Sequence, residues 1–248
     1  MTNLTIVLPT KNSEKFLEIF LNSLKEQDFQ NFFLFVADSS SSDNTIEILK
    51  RYHFNLTIIS AADKSAEEGI NKCLERIRTE YFAILNSDDM LGQKNYISNL
   101  VKLLQQGADV AFPNLGSIVN GKKKFLDQKY DFSRILTNNV VPDIGWIAKS
   151  SVLKEGFFTE KYKVATAYHF LLRLYKLNYA FKRDRSINYF FRMGGNSYKA
   201  GLLGYSEGRK IAIEFGSNKF LVYKRFLINF LKFVIKYKIL KLFFSVKR

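Results

Sequence analysis

Leu4 to Leu8 is a short apolar run closed by Pro9, the pattern of a buried strand. Phe16, Leu17, Phe20, Leu21 and Leu24 then recur at helical spacing, with Ser13 placed to cap the helix. Phe32 to Ala37 predicts a second strand ending at Asp38. The polar run Ser39 to Asp43 predicts a loop, with Ser42 or Asp43 capping a helix through Tyr52. Leu56 to Ile59 predicts a third strand. Ser65 to Arg78 predicts a helix whose Ile70, Cys73, Leu74 and Ile77 face inward. Tyr81 to Leu85 is a further apolar run, followed by Asn86, Ser87 and two adjacent carboxylates, Asp88 and Asp89. Strands alternating this regularly with helices predict right-handed βαβ units, hence an α/β fold with a mostly parallel sheet flanked by helices.

The second half is less regular. A helix is predicted over 94–106 and a strand over Asp109 to Phe112. Asn120-Gly121, between Ser117-Ile118-Val119 and Lys124-Phe125-Leu126, is a hairpin signal. Helical periodicity returns from Val164 to Leu177, two strands are predicted at Tyr179–Arg183 and Ser186–Phe191, and Leu202 to Phe215 reads as a helix. Gly194-Gly195-Asn196-Ser197 reads as a turn. From Phe220 to Phe244 aromatic and aliphatic residues alternate with lysines. Arg225, Asn229, Lys232 and Lys236 share one helical face, while Lys238 and Lys241 fall out of phase. The expected division is a catalytic-type domain over 1–216 and a basic amphipathic helical tail over 217–248.

Charge sharpens that division. The 248 residues carry 38 Lys and Arg against 23 Asp and Glu, a formal charge of +15. Nine of the basic residues, and no acidic one, lie between Lys219 and Arg248, leaving 29 against 23 elsewhere. The basic excess therefore belongs to the tail, and its mixture with aromatic residues suits an anionic membrane surface met by 220–244. A helix packed on the domain or on a partner is the other reading of the same pattern. Most tail side chains are apolar and no nucleic-acid motif is present, so nucleic acid is not the expected partner. The lone Cys73 permits no disulfide within the chain and is expected to be a buried thiol. No basic segment with an apolar core opens the sequence, and no run of 18 uncharged apolar residues occurs, so neither a signal peptide nor a conventional membrane span is expected.

The candidate chemistry lies where strands end. Ligands of open α/β sheets sit beyond the carboxyl ends of the strands. Neighbouring carboxylates such as Asp88 and Asp89 repel unless a cation stands nearby, and hard divalent ions bridge carboxylates to substrate phosphates. A metal–diphosphate site is one reading; a solvated turn with a helix cap is the other. Asp38 either accepts hydrogen bonds from a base or ribose or caps its own loop. The four serines lack the glycines and lysine of a P-loop.

Taken in order, these stretches resemble family 2 glycosyltransferases of the GT-A fold over about residues 3 to 198. Thr5 to Asn12 is similar to that family's opening strand and nucleotide loop, and Val36 to Thr45 to its acidic second loop. Glu68 to Lys72 followed by Glu80 to Asp89 resembles the approach to its DXD motif. Phe157 to Ala165, Phe170 to Leu174 and Phe191 to Ser197 resemble its acceptor-side segment. The resemblance implies a nucleotide-sugar donor, most commonly a UDP-sugar, and Mn²⁺ or Mg²⁺. Pro9, Thr10, Asn12, Asp38, Asn86, Ser87, Asp88 and Arg192 would then contact the donor, and Asp88 and Asp89 the metal.

Two departures stand out. The first DXD position is Asn86, which hydrogen-bonds but brings no charge. Where the family places its acidic base, at the start of the helix carrying Phe170 to Leu174, this chain has Ala167. His169 is the candidate replacement, although residues two apart on a helix do not share a face; Glu160 and Asp143 are further candidates. Trp146 either stacks on a sugar or fills the core. His53 is expected to be structural.

The reading that follows is an inverting, metal-dependent glycosyltransferase, acting on a glycan or lipid-linked acceptor in bacterial surface-polysaccharide synthesis. It would work in the cytoplasm, peripheral on the inner membrane face. The alternatives are a glycosyltransferase-like binding protein without turnover and a nucleotidyltransferase. The latter needs a glycine-rich first loop, and Pro9 to Ser13 has no glycine.

Overall fold

The computed structural model describes residues 3–119, 121–125, 135–136, 144–192, 201–228 and 230–231. Their core is a nine-stranded mixed sheet. The first half is β1 (Leu4–Thr10), α1 (Glu14–Lys25), β2 (Phe32–Asp38), α2 (Thr45–Arg51), β3 (Leu56–Ser60), α3 (Ala66–Leu74) and β4 (Tyr81–Ile84). These strands lie side by side in the order β3-β2-β1-β4, and all are parallel. The apolar runs and the helical stripes of the sequence are thus realised as βαβ units.

The second half comprises β5 (Met90–Leu91), α4 (Tyr96–Gln105), β6 (Val110–Val119), β7 (Lys122–Phe125), β8 (Ile147–Lys149), a 3-10 turn (Ser150–Glu155), α5 (Thr166–Lys176), β9 (Phe181–Arg192) and α6 (Gly201–Glu214). It extends the sheet beyond β4 as β8-β6-β9-β5 and makes it mixed. β8 runs antiparallel to β4 and β6, β9 runs parallel to β6, and β5 runs antiparallel to β9. The hairpin signal is realised: Val119 pairs with Lys122 and Ser117 with Lys124, although Asn120 and Leu126 lie outside the described residues. The two strands expected around residue 184 are one, because β9 stays paired to β6 across a register shift opposite Phe112 and Asn114. Residues 219–228 are helical.

Alternation along β1 sorts the core into two layers. Leu4, Ile6 and Leu8 point to the layer with α1 and α4, where Phe20, Leu24, Tyr96 and Leu100 pack. Val7 points to the layer with α3 and α5, where Cys73, Phe82, Trp146, Phe170 and Leu171 pack. Trp146 is a core residue, 1% exposed, edge-on to Phe82 and stacked on Phe170. It is therefore not a platform for a sugar. Cys73 is fully buried, and burial pushes its thiol up to about 11, as an inert structural cysteine requires.

One expected cap is replaced. Ser13 precedes α1 but its side chain makes no cap; its Oγ lies 2.8 Å from Ser87 Oγ instead. The first free amides of α1 bond across to the α2 loop: Ser13 N to Thr45 Oγ1 at 2.7 Å and Glu14 N to Asp43 Oδ2 at 3.1 Å. Glu14 returns the bond, accepting Asn44 N at 3.0 Å. Two helix starts thus satisfy each other's orphan amides at the carboxyl edge of the sheet.

Candidate active site

β1, β2 and β4 end side by side on one edge, so the loops after Thr10, Asp38 and Leu85 share a crevice. Asp38 is fully buried beneath it. Its carboxylate accepts from Thr10 Oγ1 (3.1 Å), Ser41 N (3.0 Å), Ser41 Oγ (2.5 Å) and Ser60 Oγ (2.7 Å). Burial works to raise its pKa, but the four bonds together outweigh that and hold the group below the usual carboxylate range. All four lone-pair directions are occupied. Asp38 therefore shapes the serine loop from below, rather than offering an open oxygen to a base or ribose. The loop above it is held in sparsely populated backbone conformations: Asn12 has φ 50° and Ser40 φ 55°. Asn12 Oδ1 accepts Ser42 N at 2.9 Å and Asn12 N donates to Ser41 Oγ at 2.9 Å, so the first two loops are one knitted surface. Pro9 and Thr10 end β1 below that surface, Thr10 with its side chain buried on Asp38.

The paired carboxylates separate into two roles. Asp89 is 2% exposed, and its oxygens accept Asn86 Nδ2, Tyr189 OH and Arg192 N, each at 3.0 Å. Burial first, and the Asp88 charge second, push its carboxyl up to about 7. A group so enclosed fits a brace between the β4 loop and β9 better than the metal ligand expected of it. Asp88 is half-buried, and no other described residue hydrogen-bonds its carboxylate. Burial raises its pKa as well, with Arg192 opposing. Arg192 closes the crevice: its Nε donates to Asp88 O at 3.3 Å and its guanidinium lies 3.7 Å from the Phe16 ring centroid. The glycine turn that follows it lies outside the described residues, as do Pro142 and Asp143.

The donor set suits a divalent cation held from one side. Mg²⁺ and Mn²⁺ sites of this kind use one or two carboxylates and leave the remaining positions to phosphate and water. Asp88 supplies one carboxylate with open lone pairs; Asp89 has both oxygens engaged. Asn86 spends its amide N–H on Asp89, and Ser87 is tied to Ser13.

The start of α5 carries no carboxylate: Thr166, Ala167, Tyr168 and His169 form its first turn. His169 is turned toward α6. Its ring packs on Tyr162 and Phe215, its Nε2 is 4.0 Å from Glu214 Oε1, and its buried Nδ1 has no partner among the described residues. Burial, then Arg173, lower its pKa. This is an interface histidine, and its assignment as base is replaced by that placement. Glu160 is exposed. What holds α5 is Glu207 of α6, 6% exposed, accepting Lys163 N (2.9 Å), Val164 N (2.8 Å) and Ala165 N (3.0 Å). An anion on three amides at a helix N-terminus is strongly favoured. Neither Glu207 nor Tyr189 carries a sequence signal, because both act across tens of residues on partners that no local pattern links to them.

Against known proteins, the Glycosyl transferase family 2 profile matches residues 5–150. The chain belongs to that family. The poly(ribitol-phosphate) beta-N-acetylglucosaminyltransferase TarS of Staphylococcus aureus is 25% identical over 188 residues, 71% of this chain and 33% of TarS. A processive diacylglycerol beta-glycosyltransferase of Mycoplasma genitalium is 31% identical over 109 residues, 41% of this chain and 32% of that protein. This family 2 chain thus spans about a third of the length of either relative. A GalNAc(5)-diNAcBac-PP-undecaprenol beta-1,3-glucosyltransferase of Campylobacter jejuni is 24% identical over 241 residues, 85% of this chain and 74% of that one. Among solved structures, TarS 1–349 in complex with UDP-GlcNAc superposes with a TM-score of 0.71 at 23% identity, over 91% of this chain and 71% of that one. The mannosyltransferase PcManGT of Pyrobaculum calidifontis, in complex with GDP-Man and Mn²⁺, gives 0.68 at 18% identity, over 89% of this chain and 68% of that one. Likeness at this level shows the fold, GT-A, that the motif order led us to expect.

Proposed function

We propose that this family 2 chain transfers a sugar, with inversion, from a UDP-sugar to a glycan or lipid-linked acceptor of bacterial surface-polysaccharide synthesis. The observation that carries the reading is Asp88: a half-buried carboxylate that no other described residue hydrogen-bonds, at the carboxyl end of β4, between the Asp38-supported loops and Arg192. The UDP-GlcNAc bound by TarS supports a UDP-sugar donor. The acceptors named for TarS and the Campylobacter enzyme support a polymer or lipid-linked acceptor.

In this reading the knitted loops 11–13 and 39–42 receive the nucleoside. Arg192 presents its cation to the diphosphate, and Asp88 holds the divalent ion, Mn²⁺ or Mg²⁺. Bound there, the ion supplies counter-charge to the diphosphate as it leaves. Asp89 keeps Asp88 and Arg192 in register through the Arg192 amide. The tail supports peripheral attachment to the inner membrane face. Phe220 is 74% exposed, Leu221, Tyr223, Leu227 and Ile228 are exposed beside it, and Lys219, Lys224 and Arg225 surround them. Ala167 favours one second reading, a donor-binding protein without turnover.

Calorimetric titration with UDP, GDP and TDP, with and without Mn²⁺, on the parent and on Asp88→Asn, tests the proposal. The expected result is Mn²⁺-dependent UDP binding weakened at least about tenfold in the variant. Absence of binding to all three nucleotides with metal present would overturn it. Donor binding without any sugar release from UDP-sugars would establish the second reading instead.

A further inference from the structure

Ala167 leaves the start of α5 without the acid that the family carries there, and a neighbouring helix brings one to the same first turn. Thr166, the residue before Ala167, donates its hydroxyl to Glu67 Oε1 at 3.2 Å. Glu67 lies in the first turn of α3, which begins after β3 on the same edge of the sheet as Asp38 and Asp88. Its direction is fixed by its own helix. Asn71 stands four residues on, so it shares Glu67's face. It clamps the backbone of Phe158 from both sides, Nδ2 to O at 2.9 Å and Oδ1 from N at 3.1 Å. That face of α3 is therefore seated against 158–166. Toward the sheet, Gly69 lets α3 lie close on β2: a Cβ there would lie 2.7 Å from Asp63 Oδ2 and 3.6 Å from Ala37 Cβ.

We propose that Glu67 is the general base of this chain, supplied by α3 in place of the carboxylate missing at Ala167; this rests on the transferase reading above. Of the other described carboxylates near this segment, Glu160 is exposed to solvent, and the following are committed elsewhere. Glu207 is enclosed by three amides. Asp63 and Glu68 pair with Lys72. Glu214 binds Lys161 and Tyr162. Glu67 is half-buried; among the described residues it makes no ion pair and receives one hydrogen bond, from the Thr166 hydroxyl, which orients one oxygen and leaves the other open to them. In the step assigned to it, the Glu67 carboxylate takes the proton of the acceptor hydroxyl as that oxygen bonds to the anomeric carbon. The bond from that carbon to the diphosphate oxygen breaks, and its electron pair leaves with UDP. Protonated Glu67 then returns the proton to solvent. Water serves as acceptor in the same way when no sugar acceptor is present.

The test uses the full chain and water as acceptor, following UDP release from UDP-GlcNAc, UDP-glucose and UDP-galactose, with calorimetric UDP affinity measured alongside. Glu67→Gln is expected to lower the rate by about 100-fold or more with UDP affinity unchanged. Ala167→Asp placed in the Glu67→Gln chain is expected to recover about tenfold or more, because it restores an acid at the position on α5 where the family carries its base. A Glu67→Gln rate within about threefold of the parent overturns the base assignment while leaving the transferase standing. A parallel loss of UDP affinity overturns it too, since a merely structural Glu67 would act that way. A parent that binds UDP and releases none from any donor ends both the base and the transferase; a parent that binds no UDP shows that the donor-site reading itself has failed.

Discussion

Asp88 and Asp89 are neighbours in sequence and opposites in environment. One is half-buried with no other described residue on its carboxylate; the other is sealed by Asn86, Tyr189 and the Arg192 amide. With its carboxyl pushed up to about 7, Asp89 holds a proton in the folded chain at acidities where the unfolded chain, near 3.9, has lost it. The resulting stabilisation is complete below the unfolded value and is lost as pH rises through about 7. Asp89→Asn, neutral at every pH, escapes that loss. Its thermal midpoint relative to the parent is expected to rise by several degrees between pH 5 and pH 8 in chelator, at about 2–4 °C per kcal/mol for a chain of this size. A midpoint difference that does not change with pH would count against the buried, raised carboxyl. The adjacency of two acids is plain in the sequence. Which of them is buried is not, since that depends on Tyr189, about a hundred residues away.

Elements meet at their starts in this molecule, and the groups that satisfy them come from other elements. α1 is capped by Asp43 and Thr45 of the α2 loop, and the approach to α5 by Glu207 of α6. Glu207→Ala strips three amides of their acceptor, the Ala165 amide among them buried, at a cost of about 1–3 kcal/mol. The expected result is a lower thermal midpoint and faster hydrogen exchange at Lys163, Val164 and Ala165, with Glu207→Gln intermediate. Unchanged exchange at those amides would mean that α5 is anchored by other contacts. The helices themselves were legible in the apolar stripes, Leu17-Phe20-Leu21-Leu24 and Tyr168-Leu171-Leu172 among them. Their caps were not. The expectation at Ser13 failed because a local serine competes with an aspartate delivered by the fold, and the charged acceptor makes the stronger bond.

At the scale of the whole molecule, the charge is lopsided and the apolar surface gathers where the charge is. The helical segment at 219–228 is attached to α6: Val222 is buried, and Arg209 stacks on Tyr223 and Phe226. Its outer side keeps Phe220 and Leu227 in solvent. Among the described residues no helix is long and apolar enough to cross a membrane. If the tail docks on an anionic surface, the full chain co-sediments with phosphatidylglycerol vesicles, fails to do so with phosphatidylcholine, and loses binding on raising salt. Equal indifference to both vesicles refutes the membrane reading and leaves a packing helix. The order of motifs along the chain determined the family and the fold, because strand–helix alternation and strand-end acids are encoded locally, in short apolar runs, stripes of period 3.6 and the acids that follow the runs. The sequence also set the two departures, Asn86 and Ala167. Tertiary structure alone decided what those departures mean. It buried Trp146 and Asp89, turned His169 toward α6, closed Asp38 over with serines, and brought Glu67 against Thr166. Each of these depends on a partner distant in sequence, and a contact of that kind exists only once the layers have packed.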